Sequence, residues 1–148
     1  MPVIVIGADT PTGRAIVEAL VEPEREVRAF VTDPEVGAEL RSLGVKVATG
    51  DISDATHIEG ASTRCFSAVL IEEAATDSRE RSFARDVAAV FRAWADGISA
   101  AGVSRAIWVT AEPVPDSKVG EVAVVSPDRP ELVETVVALD DVRILGTG

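Results

Sequence analysis

The amino-acid sequence predicts an α/β fold, a three-layer, doubly wound parallel sheet with strand order 3-2-1-4-5-6. Short continuous apolar runs alternate along the chain with amphipathic stretches, which is typical of parallel strands covered by helices on both faces. A glycine-containing turn joins the first apolar run to a helical pattern. The 148 residues, 47% of them hydrophobic, suffice for one core. We therefore expect a single domain over residues 1–148, without a separate substrate domain.

The six predicted strands are the apolar runs at residues 3–6, 27–31, 45–48, 68–71, 106–109 and 142–145. The first helix is predicted at 11–21, with Thr10 as its N-cap and Pro11 at its first position, where no N–H is needed. The other predicted helices are 34–43, 78–101 and 130–139, the first two of which are followed by Gly44 and Gly102.

Two segments do not follow this alternation. Residues 54–63 are polar and short, and the pattern fits either one helical turn or a loop. Residues 112–129 contain three prolines around an apolar stretch at 122–125, so we expect a long connection with an additional extended piece.

Composition excludes several classes of partner and site. The formal net charge of −11 opposes the approach of nucleic acid and of anionic membranes, so neither is expected as a partner. No apolar stretch reaches the ~20 residues that span a bilayer, and the start lacks a basic signal region, which favours a cytoplasmic protein. Cys65 is the one cysteine and His57 the one histidine, and no residue spacing is typical of a metal site.

The turn after the first strand reads Gly-Ala-Asp-Thr-Pro-Thr-Gly-Arg over residues 7–14. In a dinucleotide-binding turn the first glycine allows the sharp bend, the second allows close approach to a pyrophosphate, and the third allows close packing of helix and strand. Gly7 and Gly13 fill the first and third places, but Thr10 stands at the second. The Asp9 carboxylate either faces the pyrophosphate space and opposes binding, or turns to solvent or caps the helix.

Glu72 and Glu73 follow the fourth predicted strand. They either add negative charge at the ligand-binding edge of the sheet or belong to a solvated loop.

These residues resemble the NmrA-like branch of the atypical short-chain dehydrogenase/reductases, whose first turn often reads GATGPTGR. Three further blocks are similar to that family: EVRAFVTDP at 26–34 to EVRALVRDP, GDISD at 50–54 to GDLTD, and AGVSRAIWVT at 101–110 to AGVxRIVYVS. The resemblance implies an NAD(P)-binding Rossmann-like domain over residues 1–148.

The resemblance also implies a set of cofactor-binding residues. The turn would hold the pyrophosphate, Thr32 and Asp33 would lie beside the adenosine ribose, and other residues would contact the adenine and line the path to the nicotinamide. The implied residues are Gly7, Asp9, Thr10, Pro11, Thr12, Gly13, Thr32, Asp51, Ile52, Ile71 and Thr110. Thr32 stands where an arginine commonly reads the 2′-phosphate of NADP, so the cofactor is NAD, NADP or neither.

The residues for catalysis are sparse. Classical members of the superfamily use a tyrosine four residues before a lysine, whereas this sequence has no tyrosine and only Lys46 and Lys118. Thr110, after the fifth strand, is the one candidate catalytic hydroxyl.

Three functions remain open. The first is a non-catalytic sensor or regulatory protein with a degenerate cofactor motif. The second is a small NAD(P)-dependent reductase of the flavin-reductase kind, and the third is a structural subunit that has lost the cofactor. In all three, the helix Ser78 to Ala101 is expected to form a homodimer through Phe83, Phe91 and Trp94 unless these aromatic residues pack in the core. A sensor would signal through a protein partner, and a pocket for a sizeable substrate would need a partner subunit.

Overall fold

A six-stranded parallel sheet forms the centre of the domain, which we describe from a computed structural model for residues 2–76 and 86–142. The strands are β1 (Val3–Ile6), β2 (Val27–Val31), β3 (Lys46–Thr49), β4 (Ser67–Ile71), β5 (Arg105–Val109) and β6 (Glu121–Val125). Their order across the sheet is β3-β2-β1-β4-β5-β6, and every neighbouring pair is parallel. The predicted fold class and strand order are confirmed.

Six helices in the described ranges cover the sheet: α1 (Pro11–Leu20), α2 (Pro34–Arg41), α3 (Ala55–Ser62), α4 (Glu72–Ala75), α5 (Val87–Ala101) and α6 (Leu132–Asp141). Buried residues of α1, α2 and α6 form one apolar cluster with one face of the sheet, and those of α3, α4 and α5 form a second cluster with the other face. The two clusters give the predicted three layers. None of these helices combines the length and hydrophobicity that crossing a bilayer demands.

The sixth strand is not where the sequence predicted it. Strand β6 comes from the segment expected to be a long connection, and it pairs with β5 from Arg105 opposite Glu121 to Val109 opposite Val125. Val142, the start of the predicted strand 142–145, instead ends helix α6, and residues 143–145 lie outside the described residues. The prediction failed because the three prolines around 122–125 indicated a connection, whereas the apolar run between them forms an edge strand in which Val122 is 39% and Val124 56% exposed.

The segment 54–63, for which the sequence allowed one helical turn or a loop, forms α3 over Ala55–Ser62. Its N-cap is Asp54, whose carboxylate accepts hydrogen bonds from the backbone N–H groups of Thr56 and His57. Helix α3 packs so closely on α5 that a Cβ added at Gly97 of α5 would lie only 2.7 Å from Ile58 Cγ2 of α3. The sequence did not predict this helix, because most of its residues are polar or small and only Ile58 and Ser62 are buried.

An aromatic cluster lies between α5 and the sheet. The rings of Phe91 and Trp94 have centroids 5.4 Å apart, and Trp108 of β5 lies 5.0 Å from Phe91. All three side chains are fully buried, which supports core packing for Phe91 and Trp94. Phe83 and the first part of the predicted helix 78–101 lie outside the described residues, and the homodimer stays a prediction.

Arg105 holds the C-terminal end of α6 against the sheet. Its buried guanidinium donates hydrogen bonds to the carbonyl oxygens of Leu139, Asp140 and Val142, at 3.0, 3.0 and 2.6 Å. A cation near the last carbonyls of a helix stabilises its C-terminus, so Arg105 fastens α6 to the edge of the sheet opposite the glycine turn.

Candidate active site at the carboxyl edge of the sheet

The order of the strands reverses between β1 and β4, with β2 and β3 on one side and β5 and β6 on the other. In an open parallel sheet, ligands bind at such a point, outside the carboxyl ends of the strands. We call the region where β1, β2, β4 and β5 end the carboxyl edge. Most residues of the predicted cofactor set lie here, because these strands all run in the same direction.

The glycine turn has the tight backbone that a dinucleotide-binding turn needs. Gly7 has φ +96°, a conformation in which a side chain would be strained. At Gly13 a Cβ would lie 2.0 Å from the carbonyl oxygen of Gly7, so no larger residue fits there. Gly7 and Gly13 thus fill the first and third glycine places, in agreement with the predicted close packing of β1 and α1.

The Thr10 side chain accepts one of the backbone N–H groups at the start of α1 that could otherwise bind an anion. Its hydroxyl donates to the Gly7 carbonyl at 2.7 Å and accepts the N–H of Gly13 at 3.0 Å, which makes it the predicted N-cap. Pro11 has no N–H. Of the first three helical residues, Thr12 therefore keeps the N–H that remains for an anionic ligand.

Asp9 connects the glycine turn to the end of β2. One carboxylate oxygen, Oδ2, accepts three hydrogen bonds: from the N–H of Thr32 at 2.9 Å, from its hydroxyl at 2.9 Å and from the N–H of Asp33 at 3.2 Å. Asp9 therefore does not cap α1, and its negative charge is fixed beside the residues predicted to flank the ribose. Asp33 turns the other way and caps α2 through the N–H of Glu35 at 2.9 Å.

Helix α4 lies over the glycine turn at the switch point. A Cβ on Gly7 would come within 2.7 Å of the Ala74 side chain, so Ala74 fills the space above this glycine. The hydroxyl of Thr12, in the first turn of α1, donates to Glu73 Oε2 at 3.0 Å. This bond crosses from the β1 side to the β4 side of the sheet, across the crevice where a pyrophosphate would lie.

Glu72 engages the candidate catalytic hydroxyl. Thr110 is 2% exposed, and its hydroxyl donates to Glu72 Oε1 at 2.5 Å. The backbone N–H of Ala111 donates to the same oxygen at 3.0 Å. The loop predicted as one alternative for residues 72 and 73 is wrong, since both belong to α4 and their carboxylates accept hydrogen bonds from two residues of the predicted site.

The adenine side is built from the segment after β3. The Asp51 carboxylate accepts hydrogen bonds from the N–H and hydroxyl of Ser53, at 2.8 and 2.6 Å. Ile52 is buried, and its carbonyl accepts the indole N–H of Trp94 at 2.8 Å. The aromatic core thereby fixes this loop, which supports a rigid wall at the predicted adenine position.

Ile71, at the end of β4, is buried against Gly7. This member of the predicted cofactor set therefore packs beneath the glycine turn.

Two further features of the carboxyl edge concern charged side chains. Arg14, the last residue of the turn motif, pairs with Glu18 and Glu39, both at 3.2 Å, and the hydrogen bond to Glu18 is the main cause of its raised pKa. Among the described residues, no three His, Cys, Asp or Glu side chains cluster in a way that could hold a metal ion.

The carboxyl edge thus repeats one arrangement three times. Asp9, Glu72 and Glu73 each accept a hydrogen bond from a threonine of the predicted cofactor set, namely Thr32, Thr110 and Thr12. The sequence indicated the three acidic residues but not their threonine partners, because the two residues of each bond lie between 23 and 61 positions apart in the chain. These contacts could have been predicted from one feature of the sequence: acidic residues and threonines both follow strands whose carboxyl ends meet at the same edge of the sheet.

A family model described as NAD(P)H-binding matches residues 7–140 of the chain. A comparison with curated proteins gave no match. Similar solved structures include an NADPH-dependent quinone oxidoreductase from Escherichia coli, with 22% identity and a TM-score of 0.61 over 73% of this chain and 36% of that one. A triphenylmethane reductase from Citrobacter sp. has 18% identity and a TM-score of 0.61 over 74% of this chain and 37% of that one.

An anaerobillin reductase from Escherichia coli O157:H7 matches 94% of this chain and 61% of its own, with 23% identity and a TM-score of 0.58. At these identities the three structures establish a shared fold. This chain spans between about a third and three fifths of their lengths.

Proposed function

Since the chain belongs to the NAD(P)H-binding family, as an NmrA-like Rossmann-type domain, we propose that it binds a nicotinamide dinucleotide and responds to it without transferring hydride. The proposal separates two halves of the site. The adenosine half, from the glycine turn to the Asp51 loop, supports binding through its tight backbone and its rigid loop. Helix α4 engages the nicotinamide half through the Glu72–Thr110 bond, and it also covers the glycine turn at Gly7 and Thr12.

The fit of the adenosine half rests on the turn. Gly13 lets α1 approach β1, the Thr10 cap uses the N–H of Gly13 and not that of Thr12, and the Trp94–Ile52 hydrogen bond holds the adenine wall in place. When bound, the cofactor would supply a hydride donor or acceptor at its nicotinamide ring. The residues of this chain would bind and orient its adenosine and pyrophosphate.

A single observation carries the non-catalytic half of the proposal: α4 covers the switch point. Ala74 fills the space over Gly7, and Glu73 holds Thr12 across the crevice. Binding of the whole dinucleotide therefore requires α4 to move. A helix whose position depends on the ligand is an element through which a domain reports binding to a partner. The chain lacks the tyrosine that acts as the acid in classical members, and the Thr110 hydroxyl is already hydrogen-bonded to Glu72.

Calorimetric titration with NADH and NADPH at low salt tests binding, and NADH or NADPH oxidation with a quinone or a flavin tests turnover. We expect saturable binding below ~1 mM without oxidation above the rate of free cofactor and acceptor. Catalytic oxidation would replace this proposal by the reductase. Silence up to millimolar concentration would favour a structural subunit.

The movement of α4 is tested by removing its bond to α1. Glu73→Gln weakens the hydrogen bond from Thr12, and a net contribution of about 0.5–1.5 kcal/mol predicts roughly two- to twelvefold tighter binding. Glu24→Gln is the matched control, because Glu24 is exposed in the turn between α1 and β2, at the opposite edge, and its loss changes the net charge equally. Equal tightening in both variants would mean that charge alone opposes the cofactor.

The second candidate is a small NAD(P)-dependent reductase. Thr110 favours it, because its hydroxyl lies at the carboxyl end of β5, beside the path predicted for the nicotinamide. The fold shared with quinone, dye and bilin reductases agrees with this alternative. In this case Thr110→Val would abolish oxidation while leaving the dissociation constant of the cofactor nearly unchanged.

We also propose the homodimer predicted from the sequence, now on the basis of two exposed charged residues of α5. Arg92 and Asp96 are exposed one turn apart on α5, so that two antiparallel copies of the helix would pair them reciprocally. Sedimentation equilibrium of the wild type and of Arg92→Glu tests it, since the substitution places like charges opposite each other. A monomeric wild type would exclude the dimer.

A further inference from the structure

We propose that Asp9 makes the ribose end of the site selective for a free 2′-hydroxyl, so that the domain binds NAD(H) and rejects NADP(H). This inference rests on the proposed function, since it concerns the same dinucleotide site. It assigns to Asp9 a specificity that the family model, which covers both cofactors, leaves open.

The first step is the position of the carboxylate. In dinucleotide-binding folds an acidic residue about 20 positions after the glycine turn accepts a hydrogen bond from the ribose 2′-hydroxyl, at the end of the second strand. Asp33 has that place in this sequence, but its carboxylate caps α2. Asp9 reaches the end of β2 from the glycine turn and brings its carboxylate to Thr32 and Asp33.

The second step concerns hydrogen-bond donors. A 2′-phosphate needs several N–H or O–H donors, ideally with a cation. The two backbone N–H groups and the hydroxyl that the end of β2 offers all donate to Asp9 Oδ2. A phosphate at this place would have to displace the carboxylate from three hydrogen bonds and would meet its negative charge.

The third step concerns cations. The residue after β2 is Thr32, which adds no positive charge, and the Arg14 guanidinium is engaged by Glu18 and Glu39. Nothing in these contacts offsets the repulsion between a 2′-phosphate and Asp9. A ribose hydroxyl has the opposite requirement, because it donates a hydrogen bond, and Asp9 Oδ1 receives none from the described residues.

The test is a comparison of dissociation constants for NADH and NADPH by calorimetry, at 20 and 300 mM salt. We expect the wild type to bind NADH at least tenfold more tightly than NADPH, with a smaller ratio at high salt because charges at an exposed edge are screened. Asp9→Asn keeps an acceptor for Thr32 but removes the charge. It should reduce the ratio at least threefold, through tighter binding of NADPH.

Glu35→Gln is the matched control. Glu35 is exposed in the first turn of α2 and lies outside the predicted cofactor set, so the substitution removes a charge close to the same strand end and leaves the Asp33 cap of α2 in place. We expect its ratio to stay within twofold of the wild type. A ratio that falls equally in both variants would show general charge rather than Asp9 to be responsible, and would overturn the inference.

Two other outcomes also overturn it, and they are distinguishable. Binding of NADPH as tight as that of NADH by the wild type refutes the selectivity and leaves the proposed function intact. Binding of neither cofactor, by the wild type and by Glu73→Gln, refutes the proposed function and the selectivity together. A thermal shift of the wild type with each cofactor gives an independent readout, because only a ligand that binds the native state raises Tm.

Discussion

The contact between α3 and α5 predicts opposite effects for two glycine-to-alanine substitutions. Gly97 lies in α5 where α3 crosses it, and a Cβ there would lie 2.7 Å from Ile58 Cγ2, 2.8 Å from Ile58 Cβ and 2.8 Å from the Ala55 carbonyl oxygen. Two of these three atoms are backbone or the branched stem of a side chain. They do not move without moving α3 itself.

The magnitude for Gly97→Ala follows from two opposing contributions. An added methyl group in a packed interior costs about 1–3 kcal/mol, and the rigid neighbours of Gly97 indicate the upper part of that range. Alanine in place of glycine within a helix returns about 1 kcal/mol. We therefore expect the free energy of unfolding to fall by about 2 kcal/mol. For a domain of this size that loss corresponds to a decrease in Tm of roughly 4–8 °C.

Gly60→Ala provides the control on the neighbouring helix. Gly60 is exposed within α3, and no atom lies within 4 Å of a Cβ built there, so the substitution keeps the helical gain without the clash. We expect it to stabilise the protein by up to about 1 kcal/mol. Urea unfolding followed by tryptophan fluorescence measures both variants. A Gly97→Ala protein as stable as Gly60→Ala would refute the close packing of α3 on α5.

Three further predictions concern single side chains. Arg105→Met leaves the last carbonyls of α6 and the Glu121 carboxylate without the guanidinium, and urea unfolding should show a loss of about 3–5 kcal/mol. Thr10→Gly frees the Gly13 N–H at a cost of a few tenths of a kcal/mol in stability, and calorimetry should show tighter dinucleotide binding. Burial raises the pKa of the Cys65 thiol from 9.0 to about 11, so native protein should react slowly with a disulfide reagent at pH 8. Its stabilising contribution is complete below pH 9 and is lost as pH rises through about 11, a decline in urea stability that Cys65→Ala should lack.

Apolar runs in the sequence predicted five of the six strands to within one residue, including β3, in which no residue is buried. Strands β1, β4 and β5 are covered on both faces, so their apolar runs are continuous and their positions were clear. Strand β6 also contains an apolar run, at 122–125, but the prolines around it indicated a connection. Its place beside β5 depends on a pairing between strands that the local sequence does not show.

In the candidate site, the contact between residues close in sequence was predicted and the contacts between distant residues were not. The cap of α1 by Thr10 is a local interaction between residues three apart, and the sequence predicted it correctly. The direction of Asp9 depends on Thr32, which is distant in sequence and near in space only once β1 and β2 pair. Helix α4 could not be foreseen for a similar reason, because its glutamates are partnered by Thr12 and Thr110 through the tertiary fold.

The parallel sheet described above also has a consequence for folding kinetics. Strand β1 precedes the other five strands in the chain but lies at the centre of the sheet, with Val3 opposite Val27 on one side and Ser67 on the other. Its second pairing must close a loop that contains β2, β3 and three helices. Such non-local contacts slow folding, and they leave one edge of the apolar strand β1 unpaired until β4 has been synthesised. We therefore expect the yield of folded protein in a cell to depend on the rate of synthesis and on chaperones as well as on the stability of the finished domain.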